Sequence, residues 1–173
     1  TNWLNQGGPS PATWAGNTAI FKDACSFAGG SIAVDGAQSF KGLQFVDEGY
    51  RLEGAGQLLV DGSTRADGNA EIRVLADRAV IATEIAGRGG ITKTEAGTLV
   101  LSGANSYSGG TRILGGAVEV TSAGNLGSTV GELVLDGGTL RTTASFGSAR
   151  RTTIGSGHGA FDVGAGTMLA LSG

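Results

Sequence analysis

The sequence predicts an all-β protein, a parallel β-helix whose turn is about 20–22 residues long, within the range of solenoid repeats. Two observations support this prediction. Glycine occupies 33 of the 173 positions, against only two prolines, well above the ~7% glycine of ordinary globular proteins. In addition, short apolar runs recur at a nearly constant spacing, which is typical of a repeat that stacks on itself.

The abundance of glycine predicts short strands joined by tight turns. Gly alternates here with Val, Ile, Leu and Thr, which favour strands, and Gly itself tolerates sharp bends. Helix is predicted to be scarce. Residues 69–86 are the one long stretch without glycine, and their β-branched side chains disfavour a helix.

The spacing of the apolar runs gives the predicted turn. One inward-facing series advances in steps of 19, 22 and 21 and consists of Leu99, Val118, Leu140 and Phe161. A second advances in steps of 22, 20 and 21 and consists of Ile91, Ile113, Leu133 and Ile154. Two offset series predict at least two strands per turn. An antiparallel sandwich stays open as the alternative, because three Asp-Gly pairs (35–36, 61–62 and 136–137) are typical hairpin turns.

Near-identical phrases also recur along the chain. Residues 96–103 resemble residues 165–173, and residues 115–118 resemble residues 137–140. Asn105 and Asn125 are one predicted turn apart, so we predict that their amides stack as a short ladder. Thr, Ser and Asn are predicted to line the outward positions.

Residues 1–28 differ from the rest and are predicted to form an N-terminal cap, with β-helix repeats over residues 29–173. Both tryptophans and both prolines lie in this first stretch: Trp3, Trp14, Pro9 and Pro11. An open end of a repeat stack needs a cap, and bulky aromatic side chains with prolines suit that task. Cys25, the only cysteine, is predicted to be a small buried residue.

Composition argues against several functions. The formal net charge is −3 and the longest basic run is Arg150-Arg151, so no nucleic-acid footprint is predicted. The apolar runs are too short to span a membrane as helices. No segment has the features of a signal peptide, so any such peptide is expected to lie outside this sequence or to have been removed.

No catalytic, cofactor-binding or metal-ligating residue is predicted. His158, the only histidine, would have to serve any Ser-His-Asp triad, but residues 155–159 lack the G-x-S-x-G elbow, so a turn role is predicted. A catalytic carboxylate set would need acids brought together across neighbouring turns. Turn or loop roles are predicted instead for Asp35, Asp61, Asp136, Asp47, Glu48 and Asp67.

Residues 90–111, GITKTEAGTLVLSGANSYSGGT, closely resemble the passenger-associated transport repeat of bacterial autotransporters. The family pattern is roughly G-L-T-K-x-G-x-G-T-L-x-L-S-G-x-N-x-Y-x-G-x-T, followed by a G-x-L strand. This sequence departs from it at Glu95, where Gly is usual, and at Ala117-Val118, where Thr-Leu is usual. The match is close over roughly 30 residues and looser over residues 122–173. The resemblance implies a right-handed parallel β-helix, exported through the periplasm to the Gram-negative cell surface by a C-terminal β-barrel outside this sequence.

The function that the resemblance implies is that of a non-enzymatic, adhesive rod, a fragment of a longer passenger that is surface-exposed or secreted and contributes to virulence. Its expected partners are a host-cell surface, matrix or glycan, or another copy of itself, without cofactor or nucleic acid. Two alternatives stay open: a β-helical carbohydrate-active enzyme, and a segment that assists folding and secretion of the passenger.

Overall fold

A computed structural model of the chain describes residues 18–22, 29–60 and 68–173. The chain coils into seven turns of a β-solenoid, and every strand pairing in these ranges is parallel. The predicted parallel β-helix is therefore confirmed. The sandwich alternative is wrong, because its hairpins would require antiparallel pairs.

Two continuous seven-stranded sheets form two sides of the solenoid, with strands numbered in chain order. The first sheet contains β1 (Thr18–Phe21), β4 (Gly42–Phe45), β7 (Asn69–Val74), β10 (Gly90–Thr94), β12 (Thr111–Ile113), β14 (Leu133–Leu135) and β17 (Thr152–Ile154). The second sheet contains β2 (Gly30–Ala33), β5 (Tyr50–Glu53), β8 (Arg78–Ile81), β11 (Thr98–Leu101), β13 (Ala117–Val120), β15 (Thr139–Thr142) and β18 (Ala160–Val163). We number the turns one to seven by their strand in the first sheet.

The third side of the solenoid is discontinuous. Its strands are β3 (Ala37–Ser39), β6 (Gln57–Val60), β9 (Glu84–Gly87), β16 (Phe146–Ser148) and β19 (Leu169–Leu171). The first three form one sheet and the last two another. In turns four and five this side is built instead by residues 102–110 and 121–131, and the latter contain the 3-10 helix Ala123–Leu126.

The register of the second sheet confirms the first apolar series. Leu99 pairs with Val118, Val118 with Leu140, and Leu140 with Phe161, so each step of that series corresponds to one turn. In the first sheet, the pairing of Gly42 with Glu71 spans a longer piece of chain than the pairings that follow it. Turn two is longer because extra residues lie between β6 and β7.

The second predicted series is wrong in register. Ile91 pairs with Thr111, not with Ile113, and Ile113 instead pairs with Lys93. Residues i and i+2 of a strand point to the same face, so each first-sheet strand contributes two inward positions. Stacked from turn to turn, these positions form two columns. The series predicted from the sequence switches between the two columns, because polar residues occupy some of the inward positions.

The repeated phrases have different outcomes. Residues 115–118 and 137–140 are equivalent, since Ala117 pairs with Thr139. Residues 96–103 and 165–173 are not equivalent, because the former lead into β11 of the second sheet and the latter into β19 of the third side. The two stretches are therefore separated along the chain by a number of whole turns plus one further side of the solenoid.

Apolar columns fill the interior. Leu99 and Leu101 are fully buried and Val100 between them is half-buried, as the alternation predicts. Burying one such side chain contributes about 1.5 to 3 kcal/mol. In turn seven, Phe161 continues an inward column but is 39% exposed, because it lies in the last turn that the structure describes.

The predicted cap stays a prediction. Strand β1 lies within residues 1–28 and pairs with β4, and the rings of Phe21 and Phe45 stack with centroids 4.5 Å apart. The residues on which the prediction rested lie outside the described ranges: Trp3, Trp14, Pro9, Pro11 and Cys25. In the described part of the chain, no helix is long and apolar enough to cross a membrane.

Candidate functional site

His158 lies where a turn residue is expected. It is exposed between β17 and β18, with φ of 65°, and its backbone N–H donates to the carbonyl of Gly155 at 3.2 Å. A positive φ is uncommon for residues other than glycine, although His is among those that adopt it more often. The predicted turn role is confirmed.

The candidate acids that the structure describes lie in separate corners. Asp35 and Asp136 each follow a strand closely and precede a glycine with positive φ, as predicted for turns. Asp47 and Glu48 lie in the bend between β4 and β5, whereas Asp61 and Asp67 lie outside the described ranges. Across residues 18–22, 29–60 and 68–173, no group of three or more His, Cys, Asp or Glu could hold a metal ion.

The outer face of the second sheet carries a row of alternating charge. The guanidinium of Arg78 donates to both carboxylate oxygens of Glu119, at 2.8 and 3.1 Å. Arg141 lies 3.8 Å from Glu119 and donates to Asp162 at 2.7 Å. Because surface ion pairs contribute little stability, we interpret this row as charge that turns three, five, six and seven present on the outer face.

The predicted outward lining of Thr, Ser and Asn is wrong for the Asn residues that the structure describes, whose side chains lie inside. The outward positions of the second sheet also include the charged row. Asn69, Asn105 and Asn125 are 5%, 8% and 5% exposed, because their amides satisfy backbone groups at the corners of the solenoid.

Asn105 and Asn125 lie on neighbouring turns, as predicted, but their amides do not form a direct ladder. The Asn105 Oδ1 accepts the backbone N–H of Ile85 at 2.8 Å, and its Nδ2 donates to the backbone carbonyl of Asn125 at 2.5 Å. The Asn125 Nδ2 donates to the carbonyl of Gly103 at 2.9 Å. Each amide therefore joins its own corner to the backbone of an adjacent turn.

Lys93 is a buried cation in an inward column of the first sheet. Its ammonium donates to the backbone carbonyls of Thr94, Glu95 and Gly115 at 2.7, 2.9 and 3.2 Å, and so ties turn four to turn five. Burial lowers the pKa of Lys93 to about 8, and the nearby Glu95 carboxylate partly opposes that shift.

Glu95 occupies a backbone conformation that favours glycine. Its φ is 69°, at the position where the passenger repeat usually has Gly. Its carboxylate accepts hydrogen bonds from Arg73 at 2.7 and 3.1 Å. The side chain is therefore held by an ion pair across turns while the backbone is strained.

Glu95→Gly is expected to give a protein about 1 kcal/mol more stable than Glu95→Ala, because only Ala carries a Cβ into the left-handed region. Both variants lose the contact with Arg73, so their difference is the backbone strain less the greater unfolded-state freedom of Gly. Urea unfolding of the two variants measures it. Equal midpoints would show that the corner relaxes at no cost.

Tyr107 and Thr111 form a buried polar pair next to the third side of turn four. The Tyr107 hydroxyl and the Thr111 Oγ1 are 2.6 Å apart, and both residues are fully buried. Burial raises the pKa of the Tyr107 phenol above its ordinary value. These residues are the Tyr and the final Thr of the motif noted in the sequence.

Arg150 is the largest fully buried side chain in the described part of the protein. It lies in the corner between β16 and β17, and its guanidinium donates to backbone carbonyls within residues 123–131. Burial lowers the pKa of Arg150, although an arginine remains charged.

Sequence reasoning missed the interior roles of Lys93 and Arg150. For Lys93 a signal exists, since it alternates with Ile91 on one strand face and precedes Ile113 by one predicted turn. Arg150 gives no such signal. It stands beside Arg151 in a polar stretch that is typical of an exposed turn, and only one of the two arginines turns inward.

The sequence was also compared with known proteins. Residues 91–120 match the family described as Passenger-associated-transport-repeat. Over 171 residues, 93% of this chain, the sequence is 41% identical to the Adhesin BmaC autotransporter of Brucella suis biovar 1 (strain 1330), of which it spans 5%. No solved structure matches the chain significantly. The resemblance predicted from residues 90–111 is confirmed.

Proposed function

Because this chain carries a passenger-associated transport repeat and is related to an autotransporter adhesin, we propose that it is a rigid, adhesive section of an autotransporter passenger. The protein acts at the Gram-negative cell surface or after release from it. Its role is mechanical and non-enzymatic: stacked turns project a binding surface from the cell.

The orientation of the motif side chains is the observation that carries this proposal. Lys93, Asn105 and Tyr107 point inward and bond to neighbouring chain segments, so the motif supports stacking. The outer faces of the solenoid are therefore the surfaces that contact a partner. The charged row on the second sheet, Arg78, Glu119, Arg141 and Asp162, gives such a face hydrogen-bonding and ionic groups.

A host-cell surface, matrix component or glycan is the proposed partner, with self-association as the other outcome. Beads coated with the chain should bind cultured epithelial cells or immobilised matrix several-fold above albumin-coated beads. If coated beads bind neither cells nor matrix nor each other, the adhesive role is wrong for this section of the passenger.

Matched variants locate the binding face. Replacing Arg78 and Arg141 by Ala changes the outer face of the second sheet, whereas replacing Arg112 and Arg151 by Ala removes the same amount of charge from the first-sheet side. Binding should fall only in the first variant, provided that circular dichroism shows both to be folded. Equal loss in both would point to non-specific attraction by positive charge.

A role in passenger folding is the second candidate, favoured by the cross-turn bonds of Lys93 and Asn105. Deleting residues 91–110 removes one turn and joins Gly90 to Thr111, which occupies the position equivalent to Ile91. Refolding from denaturant should then slow more than after deletion of residues 111–132, the next turn. Unchanged refolding after the first deletion would remove this candidate.

A further inference from the structure

Residues 121–131, which we call the strap, complete the third side of turn five without a strand. The strap contains the 3-10 helix Ala123–Leu126 and a following turn. Backbone carbonyls that would join a strand ladder elsewhere on this side need other donors here. The strap is therefore the segment of this side whose hydrogen bonds depend most on side chains.

Arg150 supplies those donors from the next turn. Its Nη1 donates to the carbonyls of Ser128 and Gly131, both at 2.7 Å. Its Nη2 donates to Gly127 at 2.9 Å and reaches Ala123 at 3.4 Å. The Arg150 side chain is fully buried, and none of the ion pairs between described residues includes it. The hydrogen bonds to these carbonyls therefore offset the free-energy cost of burying its charge.

Turn four contacts the strap from the opposite direction. The backbone N–H of Ser128 donates to the carbonyl of Tyr107 at 2.9 Å. Gly127 has φ of 78°, and a Cβ there would come within 2.5 Å of the Tyr107 carbonyl and 2.9 Å of its ring. The strap therefore lies tightly between Tyr107 of turn four and Arg150 of turn six.

We propose that the Arg150 side chain holds the strap closed over Tyr107 and so acts as a clasp. Turn five is then complete only when the corner between β16 and β17 has folded. Without the clasp, the buried carbonyls of Gly127 and Gly131 lose the Arg150 donor, and they regain hydrogen bonds by opening to water. The strap then opens as a separate unit while the two continuous sheets remain folded. This inference is independent of the adhesive role.

Amide hydrogen exchange of the whole chain tests the clasp. In Arg150→Gln, the strap amides of Asn125, Ser128 and Gly131 should exchange about 100-fold faster than in the unchanged chain, as expected for a local opening. Amides in β5 and β6, in turn two, should change less than about threefold. Arg151→Gln is the matched control, because its side chain is 80% exposed and lies 3.3 Å from Glu132; it should leave strap exchange unchanged.

Two outcomes would overturn the clasp: strap exchange that Arg150→Gln leaves unchanged, or an equal acceleration in all turns. If Arg150→Gln does not fold, Arg150→Lys replaces it, since one ammonium cannot reach carbonyls on both sides of the guanidinium fork. Acceleration confined to the strap supports the clasp in that variant too. Gly127→Ala, which strains the strap from the Tyr107 side, should produce the same local pattern with Arg150 intact.

Discussion

Gly97→Ala is expected to lower the free energy of unfolding by about 3 kcal/mol or more, the upper range for overpacking in a close-packed interior. A Cβ at residue 97 would lie 1.9 Å from the carbonyl oxygen of Ala76 and 2.8 Å from the Val74 side chain. The obstacle is backbone of the preceding turn, which cannot rotate away. Relief would break the bond from the Gly97 N–H to the Val74 carbonyl, now 3.0 Å.

Gly147→Ala is the matched control for Gly97. Gly147 is exposed in β16, and the nearest atom to an added Cβ is the Ala170 carbonyl oxygen at 3.9 Å. This variant should be neutral or slightly stabilising, because it only reduces the freedom of the unfolded chain. Denaturant unfolding at equilibrium measures both. Equal stability of the two variants would contradict the close approach of turns three and four at Gly97.

Lys93→Met is expected to remove a pH dependence of stability that the unchanged protein shows on the alkaline side. The pKa of Lys93 is lowered to about 8 in the folded protein, from 10.5 when unperturbed. Between these values the unfolded chain binds more protons than the folded one, so stability rises with pH. From pH 7 to pH 9.5, the free energy of unfolding should rise by about 2 kcal/mol more in the unchanged protein than in Lys93→Met.

Lys41→Met serves as the control for Lys93, since Lys41 is exposed in the corner before β4. Its pH profile should follow that of the unchanged protein. The comparison uses differences between variants, so the titration of Tyr107 and of other groups cancels. Parallel profiles for Lys93→Met and the unchanged protein would show that the Lys93 ammonium is hydrated in the folded state.

The sequence predicts the second sheet best because that sheet has the simplest pattern. In β11, apolar residues alternate with outward ones, and each later strand repeats the pattern one turn on. The pairs Leu99 with Val118 and Val118 with Leu140 follow directly from that spacing. A period is readable when the same kind of side chain occupies the same inward position in every turn.

The third side could not be predicted in the same way. Strands β3, β9 and β16 differ from one another in which of their positions are buried, so no column of like side chains recurs from turn to turn. In turns four and five this side has no strand at all. Its hydrogen bonds depend on Asn105, Asn125 and Arg150, whose types are also typical of exposed turns.

Polar residues at inward positions explain the remaining errors. Lys93 and Thr111 stand where an apolar series would continue, and each is satisfied by a partner from another part of the coil. Sequence alone gives the position but not the partner. Whether a lysine can be buried depends on three carbonyls that only the folded corner brings together.

The discontinuous third side divides the rod into walls with different tolerance to change. The two continuous sheets keep their pairing register through all seven turns, although the number of residues between paired positions varies. That number is much smaller from Thr98 to Ala117 than from Gly42 to Glu71. On the third side, by contrast, the chain forms a strand in some turns and an extended segment or a helical turn in others. A peptide inserted there is expected to be displayed at a fixed height along the solenoid without rebuilding the two sheets beneath it.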